Sequence, residues 1–471
     1  MSVFFRVRWI PALLALFVSS SLAAVDVPAV FSDHAVLQRD LALPIWGIGQ
    51  PGSEVAVEFA GQRKSARVAN DGRWLVTLDP LAASSRGRTM TIAGSDGTIE
   101  VKDILIGEVW LCGGQSNMEW PVRASDNADA EIAAGDTPWL RRIKAPHLLA
   151  RTPSSDIDAS WEVSSSATVG NFTAVGTFMA RRLHEQLGVP VGLLEVNWGG
   201  TRAEPWTPTA AMKSHPRFRA RVGEFEAATT PATRTDPGVM YNAMLSPFSP
   251  YGIRGAIWYQ GESNARQADE YAQLLPLMIG SWREAWGQGD FPFGIVQLAA
   301  FGAVSDDPVQ GGWANLRDAQ DSTHRIVRNT GLVILIDVGA VDDIHPPNKQ
   351  AVGRRLADWA LNRCHGRSDL PESGPFYRGH EVVDDAFVVR FDHVGDGLTG
   401  RRGTQIDGFA IQGSDGKWHW ANVEVIGPDR LRVGHPEAPR PTAVRYAWQN
   451  NPVRANLISA GGLPAAPFKT D

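Results

Sequence analysis

The chain has 471 residues, 43% of them hydrophobic, with a formal net charge of −6 and a pI near 6.0. That length predicts about two or three domains. The acidic balance, with no basic run longer than Arg401-Arg402, leaves no electrostatic case for a nucleic-acid partner.

The first residues read as a targeting signal. Arg6 and Arg8 supply a positive start, and Ile10 through Val18 is apolar but too short to span a bilayer. Ser21-Leu22-Ala23 offers small residues for cleavage, so residues 1–23 form the expected signal peptide. No later apolar run reaches spanning length. The mature protein is expected to be exported, periplasmic or secreted, with no membrane partner.

Residues 24–105 read as a β-sandwich-like domain. Val55-Ala56-Val57-Glu58-Phe59 and Trp74-Leu75-Val76-Thr77-Leu78 alternate apolar and polar, and Gln50-Pro51-Gly52, Asn70-Asp71-Gly72 and Ser95-Asp96-Gly97 mark turns. Residues 106–365 alternate strands with helices. Helices are expected over Ala174–Leu187, Tyr271–Trp286 and Asn348–Trp359, and strands over Val191–Val196, Phe293–Leu298 and Gly331–Ile336. This is the signature of a parallel sheet covered by helices on both faces. Residues 366–471 return to β, with Phe387–Phe391, Val423–Ile426 and Ala443–Ala447 as strands. The pattern leaves open whether this part forms its own sandwich or joins the N-terminal β region. Cys112 and Cys364 are the only cysteines, and two buried thiols are preferred over a disulfide, because Cys112 sits inside a strand.

Two segments carry chemistry. Val109-Trp110-Leu111-Cys112 ends at Gly113-Gly114-Gln115-Ser116-Asn117. Glycines at a strand end permit the tight turn that presents a serine hydroxyl as a nucleophile. The pattern departs from the Gly-x-Ser-x-Gly elbow of α/β-hydrolases. Further on, Asp342 stands three residues before His345 in the loop after an apolar run. A carboxylate and an imidazole so placed can orient the ring and stabilise its charged form. Read singly, each segment fits a structural turn or a helix cap at least as well.

Taken together, these segments resemble the SGNH (GDSL-like) hydrolases, and more narrowly the sialate O-acetylesterase family of carbohydrate esterases. Asn197-Trp198-Gly199-Gly200-Thr201-Arg202-Ala203-Glu204-Pro205-Trp206 and Ile257-Trp258-Tyr259-Gln260-Gly261-Glu262-Ser263-Asn264 fit intermediate blocks of that family. Leu316-Arg317-Asp318-Ala319-Gln320 and the C-terminal Arg445-Tyr446-Ala447-Trp448 fit as well, all in family order.

The resemblance implies an SGNH-type (flavodoxin-like) α/β hydrolase domain flanked by N- and C-terminal β regions. It implies Ser116 as nucleophile, His345 as base and Asp342 as the orienting acid, with Asp343 and Asp337 as rivals. It implies an oxyanion hole from the Ser116 N–H, an N–H of Gly199 or Gly200, and a side chain that must be Gln260 or Asn264, since an asparagine usual in SGNH enzymes is displaced here. Gln115, Arg202, Glu204, Trp206 and Glu262 are expected around the sugar. Arg202 is read either as a carboxylate ligand or as a partner of Glu204. Zinc-site spacing and a phosphate-binding Gly-x-x-x-x-Gly-Lys loop are lacking, so no metal and no cofactor is expected. The expected substrate is an O-acetylated carbohydrate, a 9-O-acetyl sialic acid first and acetylated xylan or another glycan as the alternative. A lipase, a thioesterase or a non-catalytic sugar-binding protein are the remaining readings.

Overall fold

Thr98–Gly114 is the strand on which the molecule is assembled. Its first residues alternate in exposure, and from Ile104 onward every residue is buried, as befits a parallel strand covered on both faces. The computed structural model describes residues 25–309 and 311–471, so the expected signal peptide lies outside the described residues. Among them, no helix is long and apolar enough to cross a membrane.

The early part of this strand pairs antiparallel with Ser84–Ala93, and Val36–Gln38 runs parallel beside Leu105–Gly107. Ser84–Ala93 in turn pairs with Glu54–Phe59, while Leu43–Ile48 and Arg73–Leu78 form a separate ribbon. The N-terminal β region and the α/β unit therefore share one strand, and residues 105 and 106 are neighbours within it.

The later part of the strand lies at the centre of a parallel sheet. In space the order is Thr330–Val333, Phe293–Val296, Gly255–Tyr259, Thr98–Gly114, Val191–Asn197 and Leu140–Lys144. Alternation assigns its side chains to two cores. Val109 and Leu111 face one cluster with Leu274, Met278 and Trp282 of helix Ala268–Trp286. Trp110 and Cys112 face another, with Val175 and Met179 of Ala174–Leu187 and Trp359 of Lys349–His365. This is the α/β, SGNH-type architecture expected from the sequence, with helices on both faces and β regions at both ends. The helix expected over Asn348–Trp359 runs on to His365, where Gly366 ends it in a left-handed cap (φ 66°). Close packing explains Gly353: a Cβ there would lie 2.6 Å from the Phe178 Cβ.

The C-terminal region forms sheets of its own. One runs Phe376–Val383, Ala386–Asp392, Arg430–Gly434, Asn422–Gly427, and a second runs Trp418–Trp420, Phe409–Gln412, Ala443–Tyr446, Phe468–Lys469. Neither pairs with an N-terminal strand among the described residues. Both cysteines are free thiols, Cys112 buried and Cys364 half-buried.

Arg317 joins the C-terminal region to the α/β unit. It is fully buried and has no carboxylate partner among the described residues. Its guanidinium donates instead to the carbonyls of Leu298 (2.8 Å), Ala299 (2.8 Å), Gln449 (2.8 Å) and Asn450 (2.9 Å). Burial pulls its pKa down to about 9, yet the planar fork of donors suits four carbonyls at once. Arg317→Met should cost about 3 kcal/mol or more in urea unfolding, because it strands buried acceptors. Arg317→Lys should recover less than half of the loss. A methionine variant as stable as the wild type would refute this account.

Candidate active site

Gly114 is in register with both Asn197 and Tyr259, so three neighbouring strands end level. The chain leaves the central strand for the far edge, returns through Val191–Asn197, and then crosses to Gly255–Tyr259 on the other side. The strand order reverses here, which opens a crevice at the carboxyl ends of the strands. The three turns that follow are Gln115-Ser116-Asn117, Trp198-Gly199-Gly200 and Gln260-Gly261-Glu262.

Glycines let these turns crowd together. Gly114 has φ +143°, and a Cβ on it would fall 2.2 Å from the Tyr259 carbonyl oxygen. The Gln115 N–H donates to that same oxygen at 3.0 Å. Gly261 has φ +153°, with Leu316 Cδ2 at 2.4 Å from the equivalent point. At Gly199 a Cβ would stand 3.3 Å from the Cβ of Ser116.

Ser116 opens a short helix, Ser116–Glu119, and its Oγ lies 2.8 Å from His345 Nε2. The hydroxyl and the imidazole come from residues 229 apart in sequence. The Trp120 indole stacks on the imidazole, centroids 4.8 Å apart and planes within 14°. Burial lowers the pKa of His345, the Lys349 ammonium lowers it further, and Asp343 opposes both. The ring is therefore biased towards the neutral form that can accept a proton.

Neither Asp342 nor its rivals makes a hydrogen bond to the His345 ring, and Asp343 comes nearest. Asp342 is exposed and makes no hydrogen bond or ion pair among the described residues. Asp343 accepts the His345 backbone N–H at 2.8 Å, a local Asx-type turn. The turn brings its carboxylate to 3.6 Å from Nδ1, beyond hydrogen-bond reach. Asp337, the other rival, is taken by Arg355 (2.6 Å) and Arg401 (3.1 Å).

The expected oxyanion donors divide in the same way. The N–H groups of Ser116 and Gly200 have no acceptor among the described residues. The Gly199 N–H is already donated to Glu119 Oε2 at 2.8 Å. Burial alone would raise the pKa of Glu119, but His147 and Lys144 outweigh it and hold it at about 2. Gln260 has both amide hydrogens committed, and Asn264 has one of its two. Gln260 Nε2 donates to Asn264 Oδ1 (2.7 Å) and the Thr201 carbonyl (3.2 Å), and Asn264 Nδ2 donates to Glu204 Oε2 (3.0 Å). Buried amides must spend their hydrogens where partners exist, and here the partners stitch the second turn to the third.

Of the five residues expected around the sugar, four belong to this supporting layer. Trp206 is wholly buried, edge-on to Trp258, with its N–H donated to Thr201 Oγ1 at 3.0 Å. Glu204 is paired with Arg221 at 2.9 Å, not with Arg202. Gln115 is buried and its Oε1 accepts the Ser263 N–H at 3.2 Å, while its Nε2 donates to no group among the described residues. Glu262 is half-buried as a residue, but its carboxylate is enclosed: Oε1 accepts from Asn117 at 2.6 Å and Oε2 has no partner among the described residues. Only Arg202 remains half-exposed and without a hydrogen bond or ion pair among the described residues.

The aromatic surface near Ser116 comes instead from Trp120 and Trp198, both half-exposed. His147 lies parallel to Trp198 at 4.4 Å, and its Nε2 is 2.9 Å from Glu119 Oε1. Trp198 stands in a block the sequence analysis singled out. Trp120, Glu119 and His147 carry no motif of their own, although Glu119 and Trp120 follow Ser116 by three and four residues. Among the described residues, the one grouping dense enough to hold a metal ion is His419, His435 and Glu437, in the C-terminal region, and it shares no residue with this site.

A serine hydroxyl bonded to an imidazole, at the carboxyl edge of a parallel sheet, defines the hydrolase class of the molecule. The family model for sialic acid-specific acetylesterases, which are carbohydrate esterases, matches residues 106–362. Mouse sialate O-acetylesterase is 31% identical over 501 residues, 93% of this chain and 92% of that protein. The human sialate O-acetylesterase is 28% identical over 481 residues, 93% and 91% of the two chains. The crystal structure of a carbohydrate acetylesterase from Xanthomonas citri superposes with a TM-score of 0.87 at 36% identity, covering 95% of this chain and 100% of that one. The chain belongs to the sialic acid-specific acetylesterase family of carbohydrate esterases, and it is a carboxylic ester hydrolase.

Two tryptophans should then behave differently. Trp206→Ala should lower stability by about 3–5 kcal/mol, the usual loss for a large core side chain, and depress turnover of all esters alike. Trp198→Ala should leave the melting temperature within a few degrees and depress turnover of glycan esters more than that of p-nitrophenyl acetate. Equal losses on both substrates for Trp198→Ala would take that ring out of the sugar site.

Proposed function

We propose that the protein is an exported serine esterase that removes O-acetyl groups from carbohydrates, with a sialic acid as the sugar. The observation that carries the mechanism is the 2.8 Å contact between Ser116 Oγ and His345 Nε2. In this reading Ser116 Oγ attacks the acetyl carbonyl while His345 takes its proton, and the tetrahedral oxyanion accepts from the N–H groups of Ser116 and Gly200. Collapse returns the proton to the departing sugar hydroxyl and leaves an acetyl-enzyme. Water, deprotonated by His345, then releases acetate and restores the serine. Each oxyanion donor is worth roughly 3 kcal/mol. Asp343 stabilises the imidazolium through space, being too distant for the bond that an orienting acid makes in a Ser-His-Asp triad.

Support for a sialic acid comes from the family match and from Arg202, whose unpaired guanidinium beside the second turn suits a carboxylate. Support for export comes from residues 1–23 alone. A second reading is a neutral acetylated glycan such as xylan, since the 36% identity with the Xanthomonas citri protein points to a carbohydrate acetylesterase without fixing the sugar. A panel of 9-O-acetyl sialic acid and acetylated xylooligosaccharides, assayed with wild type and Arg202→Ala, separates them. The sialate reading expects Arg202→Ala to raise KM selectively for the sialic ester. An equal effect on both substrates would favour the neutral glycan.

Ser116→Ala should keep the wild-type melting temperature and lose at least about a thousandfold in kcat. The pH profile should show an acid limb, because kcat/KM requires neutral His345. Burial and Lys349 lower the pKa of His345, so the midpoint should fall below the ordinary imidazole value of about 6.5. A midpoint above that value, or full activity in Ser116→Ala, would count against the assignment.

A further inference from the structure

Lys349 is the first residue of helix Lys349–His365 and is wholly buried, four residues beyond His345. Its Nζ donates to Asn117 Oδ1 at 2.6 Å and to the Pro346 carbonyl at 2.7 Å. Asn117, next to Ser116, donates in turn to the Ile344 carbonyl at 3.0 Å and to Glu262 Oε1 at 2.6 Å. The carbonyls on either side of His345 are therefore both tied to the turn that carries Ser116. The ammonium also lies 5.6 Å from the centres of the Trp120 and Tyr259 rings, and Trp120 is the ring that stacks on His345.

We propose that Lys349 is a positioning residue for the hydrolytic reaction: through Asn117 and the Pro346 carbonyl it clamps the His345 loop to the Ser116 turn. The proposal rests on Ser116 and His345 being nucleophile and base. It gives to a buried lysine the orienting work that Asp343 does weakly, since that carboxylate is 3.6 Å from the ring and half-exposed or more.

The electrostatics agree with the geometry. Burial lowers the pKa of Lys349 to about 7, against the opposing pull of Glu262, Asp343 and Asp126. Those three carboxylates, His345 and Tyr259, whose phenol burial keeps neutral, are the titratable groups around it. Glu119, on the short helix of Ser116, is engaged with Lys144 and His147. Where Lys349 is protonated it disfavours the imidazolium, so its removal should raise the pKa of His345. A clamp that served the fold alone would lower the melting temperature and leave kcat of the folded variant near wild type.

The test compares Lys349→Met, Asn117→Ala and Asp343→Asn with wild type and Ser116→Ala, on p-nitrophenyl acetate from pH 5 to 9, with melting temperatures. Lys349→Met should lose about a hundredfold in kcat, the cost of a small misplacement of a reacting group, with KM within about twofold. Its acid limb should move to higher pH. Asn117→Ala should show a similar kcat loss, and Asp343→Asn should lose less than about tenfold. A folded Lys349→Met with kcat within about threefold of wild type overturns the proposal, whether or not the acid limb moves. If Lys349→Met does not fold, Asn117→Ala within about threefold of wild type does the same. Asp343 is exposed and its variant should fold in any case. A hundredfold loss in Asp343→Asn would return the orienting role to the carboxylate and overturn the proposal independently. Activity retained by Ser116→Ala would instead sink the underlying assignment of the nucleophile, so the two failures are told apart.

Discussion

Everything at this site depends on how closely two stretches of backbone approach each other. At Gly114 the Tyr259 carbonyl passes where a Cβ would stand, 2.2 Å away, and the same oxygen takes the Gln115 N–H. That contact turns the chain sharply off the central strand and lifts Ser116 over the sheet edge. It also locks the first turn to the third. The second turn joins by the same means, because Gly199 has no side chain to strike Ser116. Without glycine at these positions the three turns would stand apart and the hydroxyl would have no imidazole within reach.

The polar residues beneath the site then act as fasteners. Gln260, Asn264 and Glu204 form one run of buried hydrogen bonds ending at Arg221, and Gln115 reaches across to Ser263. These amides and carboxylates look like substrate ligands in the sequence because they stand in motifs beside the glycines. In the structure most of their hydrogen bonds go to one another, although Gln260 Oε1 has no partner among the described residues. Gln260, with both amide hydrogens donated, holds turn geometry and has no donor left for a ligand. The same logic separates the tryptophans. Trp206, Trp258 and Trp282 fill the core edge-to-face, which leaves Trp120 and Trp198 as the rings beside the crevice.

Much of this architecture was legible in the sequence. Continuous apolar runs marked the parallel strands, helical periods marked Ala174–Leu187 within its observed bounds, and the Gly-Gly-Gln-Ser-Asn turn and His345 are brought together as their chemistry required. What escaped was whatever depends on a side chain's direction. Asp342 and Asp343 are adjacent and chemically identical, and only the turn that Asp343 makes with the His345 N–H distinguishes them. Gly199 and Gly200 are likewise adjacent, and Glu119 alone decides which amide stays open. Lys349 read as an ordinary helix residue, since a sequence does not show that the first turn of that helix meets the Ser116 turn.

Glu119 shows how the site manages charge. A carboxylate this close to Ser116 would oppose a developing oxyanion if it were free. Here it is held by the Lys144 ammonium at 3.0 Å, by His147 at 2.9 Å and by the Gly199 N–H at 2.8 Å. Each of these favours the ionised form, and together they overcome the burial that disfavours it. The carboxylate thus takes up the Gly199 amide, and its neighbours offset its charge. On the opposite side of Ser116, Lys349 places a buried cation behind His345. Ser116 and His345 lie between a neutralised anion and a cation whose pKa burial has drawn down to about 7. That arrangement biases the imidazole towards its neutral form, while the Ser116 and Gly200 amides have no acceptor among the described residues.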